Sequence, residues 1–354
     1  MTPTFDKIHL KFKLNNTHFS HQDLKEVAYS LVKEGVAYER SVGSFLLDWL
    51  DEKDYISVKT SGSTGLAKTI KLRKQAMVNS AIMTGDFFEL KPGDKALHCL
   101  PSQYISGKMM LVRAMILGLE LDLVSPSTVP NYDTKKGYDF CAMIPLQLKN
   151  SLDKLECIKT LIVGGAAVSK TLQISLKEVK TAVFETYGMT ETVSHIAVKK
   201  LNKTLETDSH FQILSDISIT KDNRDCLVIE AKKFSETKII TNDIINMISN
   251  TTFDMIGRFD HMINSGGVKL FPECIEAKLQ DQIKSRFFIT SESDENLGQK
   301  VILVLESETN TLATSVFDGL EKFEVPKVIY NISKFIETPT GKLQRQKILE
   351  AIVR

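Results

Sequence analysis

The chain is 354 residues long and has little of what places a protein in a special class. Its 5 cysteines (Cys99, Cys141, Cys157, Cys226, Cys274) form no Cys-X-X-Cys pair and no metal-ligand spacing. That excludes a disulfide framework and a zinc ribbon. An odd set of thiols in a chain of this size fits a reduced, cytoplasmic setting. Charge of one sign is also missing: 45 Lys and Arg face 44 Asp and Glu, a net charge of +1. So even a balance gives no support for nucleic acid or an anionic membrane as partner. Long apolar runs are absent. The most apolar stretch, KMMLVRAMILGLELDLV (108–124), is broken by Arg113, Glu120 and Asp122. It predicts a buried helix followed by a strand, and no membrane insertion. The first residues, MTPTFDKIHLKFKLNN, hold no apolar signal core. There is no repeat and no low-complexity tract.

What is present is ordinary globular composition, 42% hydrophobic and 25% charged. It suffices for one large core and one smaller domain. Residues 20–52 carry apolar positions at helical spacing, and a helix is expected over about 74–89. Short apolar runs then alternate with helices: ALHCL (96–100), LELDLV (119–124), FCAMI (140–144), TLIVGG (160–165) and TAVFETYG (181–188). This alternation predicts an α/β fold, with mostly parallel β-sheets flanked by helices. From about 210 the strands become short and alternating, which predicts a small antiparallel β region. After GRFDHMINSGGVKLFPE comes a small α+β unit, with a helix near Glu273, a strand at 300–306, a helix around 310–323, a strand at 327–332 and a last helix over 342–352. The expected division is a large domain over 1–259 and a small one over 260–354, with the boundary at Asp260.

TSGSTGLAKT (60–69) could build no core. Glycine lets backbone approach a ligand closely. Successive amides in a tight loop make a concavity for anions, and Lys68 adds positive charge. The spacing is not that of a P-loop. Strand-like YISVK (55–59) and TIKL (69–72) place the stretch at the tip of a hairpin. Taken alone, it reads equally well as a flexible Gly/Ser connection.

The pieces TSGSTGLAK (60–68), GGAAV (164–168), YGMTET (187–192), TND (241–243), GRFDHMINSGGVK (257–269) and TPTGKLQR (338–345) occur in one order. In that order the chain resembles the adenylate-forming superfamily of acyl-CoA synthetases, nonribosomal adenylation domains and beetle luciferases, over roughly residues 55–350. It lacks most of the N-terminal subdomain usual there. Within the superfamily, SGGVKLFPE and YGMTETVSH look most like the o-succinylbenzoate–CoA ligases of menaquinone biosynthesis.

The resemblance implies an ATP-dependent acid–CoA ligase. A carboxylate is adenylated with release of pyrophosphate, and coenzyme A then displaces AMP. It implies that Thr60, Ser61, Gly62, Ser63, Thr64 and Gly65 wrap the β- and γ-phosphates, with Lys68 adding charge. Thr190 would bond the α-phosphate, and Glu191 would hold Mg²⁺. Tyr187 would lie against adenine beside Gly188, and Gly164, Gly165 and Ala166 would line the nucleotide and acyl group. Asp243 would take the ribose hydroxyls with Arg258 as a second ligand. Asn242 stands where the family pattern has glycine. Lys342 is implied as the catalytic lysine and Asp260 as the hinge of a mobile C-terminal domain. Gly266 and Gly267 would line the pantetheine path.

In the acyl pocket the resemblance points to Ser106, Gly107, Lys108, Arg113 and His195. Lys108 or Arg113 would pair with a carboxylate. A surface lysine and a core histidine are the competing readings. The partners implied are a small carboxylic acid, ATP and CoA, and a homo-oligomer is compatible with the sequence. The alternatives are a CoA ligase for another aryl or medium-chain acid, or a non-catalytic nucleotide-binding relative.

Overall fold

The computed structural model describes residues 3–59, 68–205, 209–309, 312–337 and 343–352. The chain opens with β1 (Lys13–Leu14), β2 (Thr17–His18), α1 (His21–Glu34) and α2 (Ala37–Trp49). A capping box starts α1: the Asp23 amide donates to Ser20 Oγ, and the Ser20 amide to Asp23 Oδ2. β3 (Tyr55–Lys59) and β4 (Thr69–Arg73) follow as an antiparallel pair, with Lys59 opposite Thr69. The expected hairpin is therefore present around the loop.

Next come α3 (Lys74–Phe87), β5 (Lys95–His98), α4 (Ile105–Leu117), β6 (Glu120–Leu123), β7 (Tyr138–Met143), α5 (Pro145–Lys149), β8 (Ile158–Val163), α6 (Lys170–Ser175) and β9 (Ala182–Gly188). Gly118 ends α4 in the left-handed conformation, at φ 73°. Strands β10 (His195–Lys200), β11 (Phe211–Ile213), β12 (Ser218–Lys221), β13 (Cys226–Glu230), β14 (Ile239–Met247) and β15 (Thr252–Arg258) complete the first part.

Among the described residues these strands form one sheet in the order β12-β13-β14-β15-β11-β10-β9-β8-β7-β5-β6-β1-β2. From β9 to β1 every pairing is parallel. From β9 through β12 every pairing is antiparallel. The short strands after 210 continue the parallel half by hydrogen bonding, through β10, β11 and β15. Parallel strands need cover on both faces. Here Ala96, Phe140, Ala142 and Ile162 join the core under α3 and α4, while Leu97, Cys141, Met143 and Leu161 join the opposite core.

The chain runs from β5 to β6 on one side and then returns to place β7 on the other side of β5. That reversal opens a crevice at the carboxyl ends of the strands, where ligands bind in such sheets. The turns after β5, β7, β8 and β9 all leave this edge.

Beyond Asp260 a second sheet forms from β16 (Ile263–Ser265), β17 (Val268–Leu270), β18 (Phe287–Asp294), β19 (Gly298–Glu306) and β20 (Val328–Ile332), with α7 (Pro272–Leu279) and α8 (Arg345–Ile352). Two expectations are corrected here. The helix expected around 310–323 is a single 3₁₀ turn, Thr314–Phe317. Its residues TLATSVFDG are rich in Thr, Ser and Val and end in Asp-Gly, all poor helix formers, so the segment packs Leu312, Val316, Phe317 and Leu320 on the small core without a longer helix. The strand Phe287–Asp294, FFITSESD, was not anticipated, because only its first half is apolar.

Candidate active site

Four strand ends build the edge of the crevice. After β8 come Gly164, Gly165 and Ala166. The Gly164 amide donates to the Met143 carbonyl at 3.2 Å. A Cβ on Gly164 would lie 2.4 Å from Thr186 Oγ1, and Gly165 holds φ at 90°. The glycines are thus required by close approach of neighbouring strand ends and by backbone angle. After β9, the backbone folds back on itself: a Cβ on Gly188 would lie 2.3 Å from the Ser194 carbonyl oxygen.

Thr190–Thr192 is one 3₁₀ turn, not the start of a longer helix. The turn presents a half-buried Thr190 hydroxyl beside the exposed Glu191 carboxylate. Val193, just beyond, is buried with φ 68°. Such an angle is an outlier for a β-branched residue, and strain of this kind concentrates at functional sites.

β14 and β15 bring Asp243 opposite Arg258. Asp243 is buried, 7% exposed. It accepts from Tyr187 Oη at 2.5 Å and from Arg258 Nη1 at 3.0 Å. Burial first, then the Asp243 charge, push the Tyr187 hydroxyl pKa upward, so it stays a donor. The Tyr187 ring stands edge-on to Phe253 and Phe211, at 5.5 and 6.0 Å. Arg258 also reaches Asp260 Oδ2 at 2.9 Å, and its Nε is buried without a partner among the described residues. A spare buried donor next to a carboxylate suits a sugar hydroxyl.

Behind the 188–195 turn lies an interior cluster that spacing alone could not assemble. Arg113, from α4, is 2% exposed. Its Nη2 donates to Ser194 Oγ at 2.7 Å and its Nε to Thr84 Oγ1 at 3.3 Å, and Nη2 lies 3.5 Å from His195 Nδ1. Among the described residues no carboxylate pairs with it. Burial lowers its pKa to about 9, which leaves it charged at neutral pH. Burial and the nearby Arg113 hold His195 well below its ordinary value, so the histidine is neutral. Thr84 and Ser194 carried no sequence signal, being ordinary hydroxyls chosen by tertiary position.

The other pocket candidates sit differently. Lys108 is buried, with Nζ 4.9 Å from the Phe45 ring centre. This corrects the surface reading; burial lowers its pKa while Asp48 opposes that shift. Gly107 is buried, and a Cβ there would lie 2.4 Å from the Pro101 carbonyl oxygen, whereas Ser106 is exposed. Sequence reasoning missed His98, buried at the end of β5, whose Nε2 is 2.8 Å from Ser102 Oγ.

Thr60, Ser61, Gly62, Ser63, Thr64, Gly65 and Lys342 lie outside the described residues. Lys68 is exposed at the foot of β4. The hairpin is anchored by Lys74, fully buried, whose Nζ donates to Asp51 Oδ1 at 2.8 Å and to the Asp51 carbonyl at 3.0 Å. Gly266 and Gly267 form the β16–β17 turn with φ 60° and 86°. No helix of the described residues is long and apolar enough to cross a membrane.

The described residues contain no group of three His, Cys, Asp or Glu side chains able to hold a metal ion. Mg²⁺ is usually held by one or two carboxylates together with substrate phosphates, so it needs no such group.

Residues 47–213 match the family described as AMP-binding enzyme. A crystal structure of an acyl-CoA synthetase (AMP-forming)/AMP-acid ligase II-like protein from Dyadobacter fermentans is 32% identical, with a TM-score of 0.61 over 93% of this chain and 98% of that one. A 2-succinylbenzoate–CoA ligase of Staphylococcus aureus is 25% identical over 91% of this chain and 72% of its own length. The fold is shared with MenE, the o-succinylbenzoate coenzyme A synthetase of Bacillus subtilis solved with ATP and magnesium ion. That likeness has a TM-score of 0.73 at 16% identity, over 94% of this chain and 82% of that one.

Proposed function

This chain belongs to the family of AMP-binding enzymes, the AMP-forming acid–CoA ligases, and from that we propose that it is an o-succinylbenzoate–CoA ligase of menaquinone biosynthesis, acting in the cytoplasm. The observation that carries the substrate is Arg113, a buried guanidinium with no carboxylate partner among the described residues. A buried cation is costly until an anion meets it. An aromatic diacid would supply that anion with the carboxylate that does not react. The ligase of Staphylococcus aureus named above supports the same substrate.

In the first half-reaction an oxygen of the reacting carboxylate attacks the α-phosphorus of ATP, and pyrophosphate leaves. Catalysis of such a step is positioning and charge balance. Asp243 and Arg258 hold the ribose, Tyr187 and Gly188 the adenine side, and Gly164, Gly165 and Ala166 the rim between nucleotide and acid. Thr190 donates to the α-phosphate. The loop from Thr60 to Gly65, with Lys68, holds the departing phosphates. Mg²⁺, taken by Glu191 together with the phosphates, supplies neutralisation of their charge. Lys342, which resembles the family lysine, would lower the repulsion between the two reacting anions. The small domain from Asp260 onward then turns about that residue, and the thiol of CoA, guided past Gly266 and Gly267, attacks the acyl carbon and releases AMP.

The test is CoA-dependent AMP formation from ATP and o-succinylbenzoate, with wild type beside Lys342→Ala. Turnover in wild type, and loss of adenylation in the variant, support reaction and residue together. Turnover with benzoate or fatty acids but not with the diacid would keep the ligase and discard the substrate. No AMP with any acid would sink the proposal in favour of a binding protein.

A further inference from the structure

Asn242 lies inside β14 and is absent from the non-glycine residues with positive φ. Its identity is therefore not demanded by the backbone, and its contacts must account for it. The side-chain amide donates to both carboxylate oxygens of Asp260, at 3.0 and 3.2 Å. Its oxygen accepts from Arg224 Nη1 at 2.9 Å. Arg224 is itself held by Asp222 Oδ2 and by the Thr241 carbonyl, at 2.8 and 3.1 Å, and its guanidinium lies 5.1 Å over the Phe259 ring. Asp260 is held a second time by Arg258, which also holds Asp243. Consecutive residues of β14 thus diverge: Asp243 meets Tyr187 and Arg258, while Asn242 grips Asp260, just before the second sheet.

We propose that Asn242, braced by Arg224, is a positioning residue that latches the Asp260 segment to the nucleotide-binding strand and so sets how readily the small domain turns between the two half-reactions. The inference rests on the ligase reading and on Asp260 as hinge. A carboxamide is suited to the role. It bonds a carboxylate without adding charge, so the contact can break at modest cost and reform. With two of the bonds at Asp260 lost, the segment Phe259–Ile263 is loosened, held there by Arg258 only through Asp260 Oδ2, while Tyr187, Asp243 and Arg258 stay paired.

The experiment compares wild type, Asn242→Ala and Asn242→Gln by hydrogen exchange of the whole chain and by separate rates for the two half-reactions. In Asn242→Ala the amides of 259–263 should exchange roughly fivefold faster, the loss expected for hydrogen bonds of this kind. Amides of β13 should be unchanged. The Michaelis constant for ATP should stay within about twofold, and the ratio of thioester formation to pyrophosphate exchange should shift roughly fivefold, with Gln restoring part of both. Unchanged exchange at 259–263 overturns the latch. Faster exchange with an unchanged ratio overturns its link to domain turning. A Michaelis constant for ATP that rises in step with the loss of rate makes Asn242 a ribose-site residue instead. Exchange needs no turnover, so a chain that forms no AMP would refute the ligase reading while leaving the latch measurable.

Discussion

Tyr187 and Asp243 are 56 residues apart in sequence, yet the tyrosine hydroxyl donates to the Asp243 carboxylate at 2.5 Å. This bond ties the end of β9, in the parallel half of the sheet, to β14 in the antiparallel half. The proposed adenine and ribose contacts are thereby held to one geometry.

Asp243→Ala should raise the Michaelis constant for ATP roughly tenfold or more, since hydrogen bonds to a charged group are worth about 1.5–3 kcal/mol. It should also lower the melting temperature, because Arg258 and Tyr187 lose their buried partner. Tyr187→Phe is the control. It removes one donor, and should lower stability by about 1 kcal/mol with little effect on ATP. Steady-state kinetics and thermal melts check both. Equal Michaelis constants in Asp243→Ala and wild type would remove Asp243 from the nucleotide site.

Arg113→Met should separate stability from function. Replacing an unpaired buried cation by an apolar chain of similar length is neutral or stabilising, by up to about 4 kcal/mol. The same change should raise the Michaelis constant for a diacid roughly tenfold to a hundredfold, and leave a monocarboxylic acid unaffected. Arg113→Lys should fall between, because a point charge replaces the planar fork. If the variant loses both acids alike, Arg113 serves the core and not the substrate.

Stability should fall on acidification below about pH 6.5. Burial lowers the His98 pKa to about 4 and holds His195 well below its usual value. The unfolded chain takes up protons from about pH 6.5 downward, whereas the folded chain stays neutral at His98 until about pH 4. The folded state is therefore progressively disfavoured between those values, by about 3 kcal/mol for His98 alone. Urea midpoints at pH 8, 6 and 5 should decline in that order, and His98→Gln should flatten part of the slope. A flat profile in wild type would mean that the folded histidines titrate normally.

Much of the fold was legible because it is written in local pattern. Apolar runs of strand length alternating with helical periods specify a parallel sheet, and the hairpin between Tyr55 and Arg73 follows from alternation on either side of a Gly/Ser loop. Gly164–Ala166 follow β8 and Tyr187–Gly188 end β9, two strand ends that the topology gathers to one edge, while Asp243 sits within β14. Tertiary structure decided what those residues touch. Nothing local distinguishes Arg113 in an apolar helix from a lysine-like surface residue, and only packing shows it buried between Thr84 and Ser194. Asn242 stands where the family pattern has glycine, and only the structure shows it as a partner of Asp260. The helix expected at 310–323 is a 3₁₀ turn because the Thr, Ser, Val, Asp and Gly residues there are poor helix formers, which apolar spacing alone does not show. Pattern along the chain sets which face is apolar and where strands end. Which polar groups meet across 18 to 111 residues, as Asn242 meets Asp260 and Thr84 meets His195, is fixed only when the whole core closes around them.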